Sequence, residues 1–512
     1  MPAIGTARGA APRTRWVALA AVSLANFMAY LDNNVTNVAI PTIERDLHLS
    51  AAGLEWIVSS YLLVLAGLLL VGGRVADVFG RRRVFLIGLT IFTLSSLAAG
   101  LADSGSMLIG ARAVQGLGAA LMMPATLAII LATFTNAKER AAAIGIWGGI
   151  GALALALGPV IGGLISQHIH WGWIFLINVP VGVVTMAVAL PSVAESRADR
   201  GIAGGSLARR LDFPGLVTSA LALFSLTWAL IEGQDLGWTS ARIVAAFAVS
   251  AAAMVVFLLI EMRTEHPMVA LPIFRSRVFS GGTVTMMIWG FGIFGIYFFT
   301  SLYLQRVLGF SPTKAGLAFV PMALCVAVFS VISPRVVGVL GGHRTVALGM
   351  LGMVVGLVLF ARIGTAGSYG ALMPGFILFG TGAGLMNVPL TNAVMEAAPA
   401  AQAGVASALF NASREVAGLL GVTVIGAVLW NRDASAQRGG ASAAVAYVDG
   451  YHVGLWVTIA LLAAGVVLSY VTLRPKKQPA QGSALAELAD DAVGDDAVAD
   501  GAVAEAERSA AL

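Results

Sequence analysis

Gly73-Arg-Val-Ala-Asp77-Val-Phe-Gly80-Arg81-Arg82-Arg83 is a short connection between two apolar stretches, 53–73 and 84–101. Gly73 and Gly80 carry no Cβ, so they permit a tight turn and a close approach of the flanking helices. Asp77 is placed to pair with the arginines or to cap the following helix. Arg81, Arg82 and Arg83 form the kind of basic stop that holds a connection on the cytoplasmic side of a membrane. An acid set between two glycines and ahead of three arginines is more than a charge anchor. It predicts a turn whose geometry is itself used.

The apolar character of the two flanks extends through the chain. A membrane-crossing helix needs about 20 mostly apolar residues. Fourteen stretches qualify, near 16–39, 53–73, 84–101, 106–131, 141–165, 172–190, 214–231, 241–260, 281–303, 315–336, 345–362, 370–395, 403–429 and 453–473. Of the 512 residues 58% are hydrophobic and 11% charged, and mean hydropathy is +0.88. So few charges cannot cover a water-facing surface, which excludes a soluble enzyme or a nucleic-acid binder. The first stretch contains Asp32, Asn33 and Asn34 in place of a small-residue cleavage site, so it reads as a span and not as a signal peptide. With both termini cytoplasmic, the inner connections hold 22 basic residues and the outer ones 7. That asymmetry sets the topology of a multi-pass protein of the cytoplasmic membrane, and it accounts for the net charge of +5 without an anionic partner. Residues 480–512, rich in Ala and acidic side chains, read as a disordered cytoplasmic tail.

The sequence repeats itself. Gly116-Leu-Gly-Ala-Ala-Leu-Met122 matches Gly380-Thr-Gly-Ala-Gly-Leu-Met386 at an offset of 264; Gly53-Leu54 matches Gly316-Leu317 at 263, and Gly158 matches Gly421. The near-constant offset predicts duplicated halves: residues 1–190 with helices 1–6, a linker of 191–280 carrying the inserted helices 7 and 8, residues 281–473 with helices 9–14, and a tail of 474–512. Two parallel halves are an architecture of alternating access, with substrate bound between them near the midplane.

Polar residues inside the stretches are the functional candidates. Arg112, in Leu108-x-x-x-Arg112-x-x-Gln115-Gly116-x-Gly118, is a charge within a span, which costs about 2.5–3.5 kcal/mol to insert and is functional by default. Asp32 lies in Leu31-Asp32-Asn33-Asn34-Val35-Thr36-Asn37-Val38-Ala39-Ile40-Pro41, deep enough for its carboxyl to exchange a proton or attract a cation. Glu415, beside Arg414, reads as a local ion pair or as a second protonatable site. Gly158-Pro159-Val-Ile-Gly162-Gly163 joins a helix-bending proline to glycines that let neighbouring helices approach. Glu232, Glu261 and Glu396 fall at span ends and read as solvated; Trp171 and Trp173 read as interfacial anchors. Candidate substrate contacts are Asn33, Asn34, Tyr61, Trp289 and Tyr297, because adaptable cavities use aromatic and polar side chains.

No cofactor or metal is expected. Cys325 is the single cysteine and reads as a small buried apolar residue. His168 and His170 lack a third ligand. Neither a phosphate-binding Gly-x-x-x-x-Gly-Lys-Ser/Thr nor a His-Glu-x-x-His occurs, which argues against ATP-driven pumping and against an enzyme.

The 73–83 segment resembles the signature between helices 2 and 3 of the major facilitator superfamily, Gly-x-Leu-Ala-Asp-x-x-Gly-Arg-Arg/Lys, with Val75 in place of Leu. The segments around Arg112, Gly158-Pro159-x-x-Gly162-Gly163 and Asp32, with Trp56, Tyr61 and Trp171 to Pro180, resemble its fourteen-helix drug:proton antiporters. Gly172 replaces their usual arginine, Asn34 a threonine and Thr36 a branched apolar residue. The resemblance implies an all-α membrane fold of two six-helix halves plus two extra helices. It also implies a monomer that exports a hydrophobic drug or antibiotic, neutral or cationic, in exchange for protons. In that family the arginine at Arg112 is associated with proton transfer and the Gly-Pro segment with export. A proton-coupled importer of a nutrient is the alternative, against which the Gly-Pro segment argues.

Overall fold

Uninterrupted apolar sequence leaves the backbone no partner in lipid except itself, so each stretch closes its hydrogen bonds as a helix. The computed structural model describes residues 12–197, 212–264, 267, 269, 271–399 and 403–474; the tail lies outside them. Fourteen helices are long and apolar enough to cross a membrane. They are α1 (Thr14–Leu47), α2 (Ala51–Phe79), α3 (Arg81–Gly100), α4 (Gly105–Thr133), α5 (Lys138–His168), α6 (Trp173–Ser192), α7 (Phe213–Leu236), α8 (Ala241–Arg263), α9 (Arg277–Val307), α10 (Pro312–Leu340), α11 (Gly342–Phe360), α12 (Tyr369–Glu396), α13 (Val405–Arg438) and α14 (Ala443–Thr472). The number is even, so the start of α1 and the end of α14 share one face, called here the terminal face. The opposite one is the distal face.

The internal repeat is visible in the packing. Gly118 of α4 lies so near α3 that a Cβ would sit 2.6 Å from the Phe92 nitrogen; Gly382 of α12 meets α11 in the same way, 2.7 Å from the Met353 nitrogen. Gly158 and Gly421 both occupy the crossing of the first and fifth helices of their half, against Asn34 and Phe291. One expected register changes. Ser50 and Ser311 cap the second helix of each half, and Gly80 and Gly341 end it at φ 115° and 81°, both at an offset of 261 and not 263. Ser104 and Ser368, at the N-caps of α4 and α12, restore 264, so the extra residues sit in the α11–α12 connection. Gly53-Leu54 and Gly316-Leu317 are a match of composition alone. Gly316 instead abuts Pro159 of α5.

The first six and the last six spans meet at their distal ends. The Thr313 N–H donates to Gln167 Oε1 (3.1 Å) and its hydroxyl to the Gly163 carbonyl (3.2 Å). Gln305 Nε2 donates to the Val38 carbonyl at 2.9 Å, and Arg306 pairs with Glu44 at 2.5 Å. Both of these α9 residues belong to a π turn, Tyr303–Val307. Toward the terminal face, a Cβ on Gly145, Gly148 or Gly149 of α5 would meet nothing within 4 Å. The bundle is shut distally, and α5 is open toward the terminal face. The inserted helices α7 and α8 pack on each other, and α7 also packs on both α2 and α13, over the distal seam.

Candidate transport site

An ionised pair sealed inside an apolar bundle persists only where hydrogen bonds complete it. Asp32, midway along α1, and Arg112, on α4, are each 0% exposed and form an ion pair. The second carboxylate oxygen accepts from Gln115 Nε2 and from Asn178 Nδ2, both at 2.8 Å. Gln115 also donates to Ser96 Oγ at 2.7 Å and accepts from Arg112 at 2.7 Å. Arg112 Nε donates to the Ile57 carbonyl at 3.2 Å, and the guanidinium lies 4.3 Å over the Tyr61 ring. Spacing explains the convergence: Arg112 and Gln115 are three apart and share one face of α4. Asn178 is presented where α6 is interrupted at Ile177, between Trp173–Leu176 and Asn178–Ser192. The cluster joins α1, α2, α3, α4 and α6, all within the first six spans.

A second pair faces the other half. Arg414 Nη2 of α13 donates to Glu415 Oε1 at 2.5 Å and to the Tyr30 hydroxyl of α1 at 3.0 Å. Tyr30 belongs to a polar stripe, Asn26, Tyr30, Asn33 and Asn37, whose spacing of 4, 3 and 4 keeps it on one face of α1. Asn26 Nδ2 donates to the Trp147 carbonyl at 3.2 Å. The Oδ1 atoms of Asn26, Asn33 and Asn37, the Trp147 and Trp289 indole nitrogens and the Tyr297 hydroxyl are buried without a hydrogen-bond partner. Orphaned donors and acceptors near a seam between moving halves suit a ligand's polar atoms.

The connection between α2 and α3 forms the expected turn. Asp77 accepts from Arg81 Nε and Nη2 at 3.0 and 2.8 Å, and Gly80 adopts φ 115°, where a Cβ is strained. Gly158 packs its Cα face on Asn34, with a notional Cβ 2.5 Å from the Asn34 Cβ, and Gly162 meets the Val35 carbonyl equally closely. Gly163 abuts Pro312 of α10.

The sequence profile of the Major Facilitator Superfamily matches residues 22–422. The chain belongs to this superfamily. The multidrug resistance protein Stp of Mycobacterium tuberculosis is 36% identical over 419 residues, 81% of this chain and 76% of Stp. The tetracenomycin C resistance and export protein of Streptomyces glaucescens is 34% identical, covering 86% and 82%. The puromycin resistance protein pur8 of Streptomyces alboniger is 32% identical, covering 94% and 95%. Among solved structures, the POT family transporter PepTSo is similar with a TM-score of 0.65 at 16% identity, covering 90% of this chain and 98% of that one.

Several residues of this facilitator stand elsewhere than their sequence patterns suggest. Gly73 is in ordinary contact, 3.6 Å from the Pro124 side chain, and it is Gly72 that lies against the α4 backbone at Ala120. Glu232 is half-buried and accepts from Trp56 Nε1 at 2.8 Å. Glu261 is buried and accepts from the Val269 N–H at 3.1 Å. Trp171 is buried while Trp173 is exposed, so one of the pair is core and only the other can sit at an interface. Cys325 is half-buried. Among the described residues no group of three His, Cys, Asp or Glu could hold a metal. Tyr61 supports the Arg112 guanidinium, while Trp289 and Tyr297 are 7% and 4% exposed on α9 and Tyr297 stacks on Phe319. The 4-3-4 stripe on α1 is legible in the sequence once counted; Arg414's reach to Tyr30 is not, because it depends on how the halves meet.

Proposed function

We propose that the chain exports small, largely apolar molecules of the antibiotic type across the cytoplasmic membrane, in exchange for protons and by alternating access. It acts as a monomer, with its terminal face in the cytoplasm and no nucleic-acid partner. One observation carries the reading: a buried carboxylate–arginine cluster on α1 and α4, its carboxylate met by Arg112, Gln115 and Asn178, stands beside a bundle shut at its distal end. Relatives named for resistance and export, aligned over four-fifths or more of the chain, support the direction. The moving units are residues 1–190 and 281–473, with α7 and α8 riding at their seam.

Asp32 is matched by Arg112 and Glu415 by Arg414, so recognition rests on the neutral donors and acceptors along α1 and α9. This favours an uncharged substrate with several polar substituents over a cation. Asp32, Arg112 and Glu415 handle the proton; the Asp77–Arg81 turn and the Gly158–Gly163 segment permit the halves to rock. The test is a susceptibility panel in a host stripped of its own exporters, with and without a proton uncoupler. Resistance to a compound that vanishes with the uncoupler is expected. Resistance that survives it removes the proton, and no resistance to any compound removes export.

A further inference from the structure

Glu55 lies on the second turn of α2, close to the distal face, and is 1% exposed. It belongs to no motif discussed above. Its Oε1 accepts from the Trp430 indole of α13 at 2.6 Å, and its Oε2 has no hydrogen-bond partner. The carboxyl fills the space that a side chain at Gly426, one turn before Trp430, would need. This contact bridges the first and last six spans, so it exists only while the distal ends are together.

The charged and titratable groups around it are committed elsewhere. On α7, Glu232 accepts from Trp56. On α9, Arg306 pairs with Glu44 at the end of α1 and lies over the same Trp430 ring, 5.4 Å from its centroid. On α13, Arg432 pairs with Asp449 of α14 at 2.8 Å, and Asp433 accepts from Gln437 at 2.9 Å. Tyr447 of α14 packs edge-on against Trp430 and donates to the Phe299 carbonyl. Among the described residues Glu55 therefore has one indole donor and no ion pair to an arginine. A carboxylate withdrawn from water with one hydrogen bond and no counter-ion is strongly disfavoured, and such groups take up a proton instead.

We propose that Glu55 is a proton-binding site that clamps the distal contact: the closed α2–α13 seam accommodates the neutral acid, and parting of the seam hydrates the carboxyl and lets it ionise. Closure then takes up one proton from the distal side, and a low pH on that side favours the state shut distally and open toward the terminal face. For an exporter this is the return direction after release, so the inference rests on the alternating access proposed above. The site sets a conformational equilibrium and is separate from the Asp32 cluster.

The test reads the equilibrium and not transport. Spin labels at Asp103→Cys and Thr365→Cys, both exposed on distal connections of opposite halves, are placed in a Cys325→Ala background in lipid nanodiscs. Their distance distribution is measured from pH 5.5 to 8.5, as chosen to bracket carboxyl titration. The short-distance fraction is expected to fall as pH rises, the closed-to-open ratio changing by up to about tenfold per pH unit, the limit for one linked proton. Glu55→Gln keeps the Trp430 bond and cannot ionise, so it holds the short distance at every pH. Glu55→Met, a second neutral side chain of similar length, does the same should the first fail to fold. A wild-type distribution that does not respond to pH overturns the clamp, as does a Gln variant that responds like the wild type. If the pH response is missing while uncoupler-sensitive resistance is present, the clamp alone fails; if that resistance is absent, the export reading fails.

Discussion

Asp32 draws together Arg112, Gln115 and Asn178, so its replacement by the neutral isostere Asn is not a neutral change. One carboxylate oxygen faces Arg112 and the other faces two amide donors, Gln115 and Asn178. An amide in that place turns its NH2 group toward one donor set or the other, and Arg112 is left without a counter-ion. Removing one partner of a buried ion pair costs about 3–5 kcal/mol. Asp32→Asn is therefore expected to lower thermal stability in detergent by that order and to abolish uphill efflux. Substrate-induced proton release in weakly buffered detergent is expected to disappear with it. Release of wild-type size from Asp32→Asn would move the proton to Glu415. At Gly158 the constraint is steric: a side chain there enters the space of the Asn34 Cβ. Gly158→Leu is expected to reduce transport at least tenfold at normal membrane abundance, because it wedges α1 from α5; normal efflux by this variant would make the close crossing dispensable.

Between elements, the decisive feature is how near two helix backbones come, and this is where sequence patterns mislead by one residue. In Gly72-Gly73 the family signature begins at the second glycine, yet the first lies on the α4 backbone. Overpacking costs about 1–3 kcal/mol, so Gly72→Ala is expected to lower the unfolding temperature of the purified protein while Gly73→Ala leaves it unchanged. An equal effect of the two would contradict the α2–α4 crossing. The fourteen spans, the tight turn at Gly80 and the duplicated glycine segments were legible because lipid, backbone hydrogen bonding and missing Cβ atoms act locally. Register across the halves was not: the 261 offset depends on where the α11–α12 connection takes up extra residues. The fates of Glu55, Glu232 and Glu261 were hidden for a related reason. Position near a span end suggests water, whereas the packing of α7 on α2 gives Glu232 the Trp56 indole, the α2–α13 contact covers Glu55, and the Val269 N–H meets Glu261.

At the scale of the whole molecule, most hydrogen bonds between the halves among the described residues gather at the distal end, beside the close packing of Gly163 on Pro312 and of Gly316 on Pro159; the Arg414–Tyr30 bond lies apart from them. Thr313 against Gln167 and Gly163, Arg306 against Glu44, Gln305 against Val38 and Glu55 against Trp430 are the bonds that must part if the bundle is to open distally. Hydrogen bonds of this kind are suited to repeated making and breaking, since each is exchanged for one with water at little net cost. Gln167 and Thr313 lie on α5 and α10, on opposite sides of this seam. Gln167→Cys with Thr313→Cys, in a Cys325→Ala background, joined by a short reducible bifunctional thiol reagent, ties the seam shut. Transport is expected to fall to the level of empty vesicles on cross-linking and to return on reduction, with either single cysteine unaffected by the reagent. A cross-linked protein that still transports at the uncross-linked rate would mean that the distal ends need not separate, and substrate would then have to leave sideways between helices into the lipid.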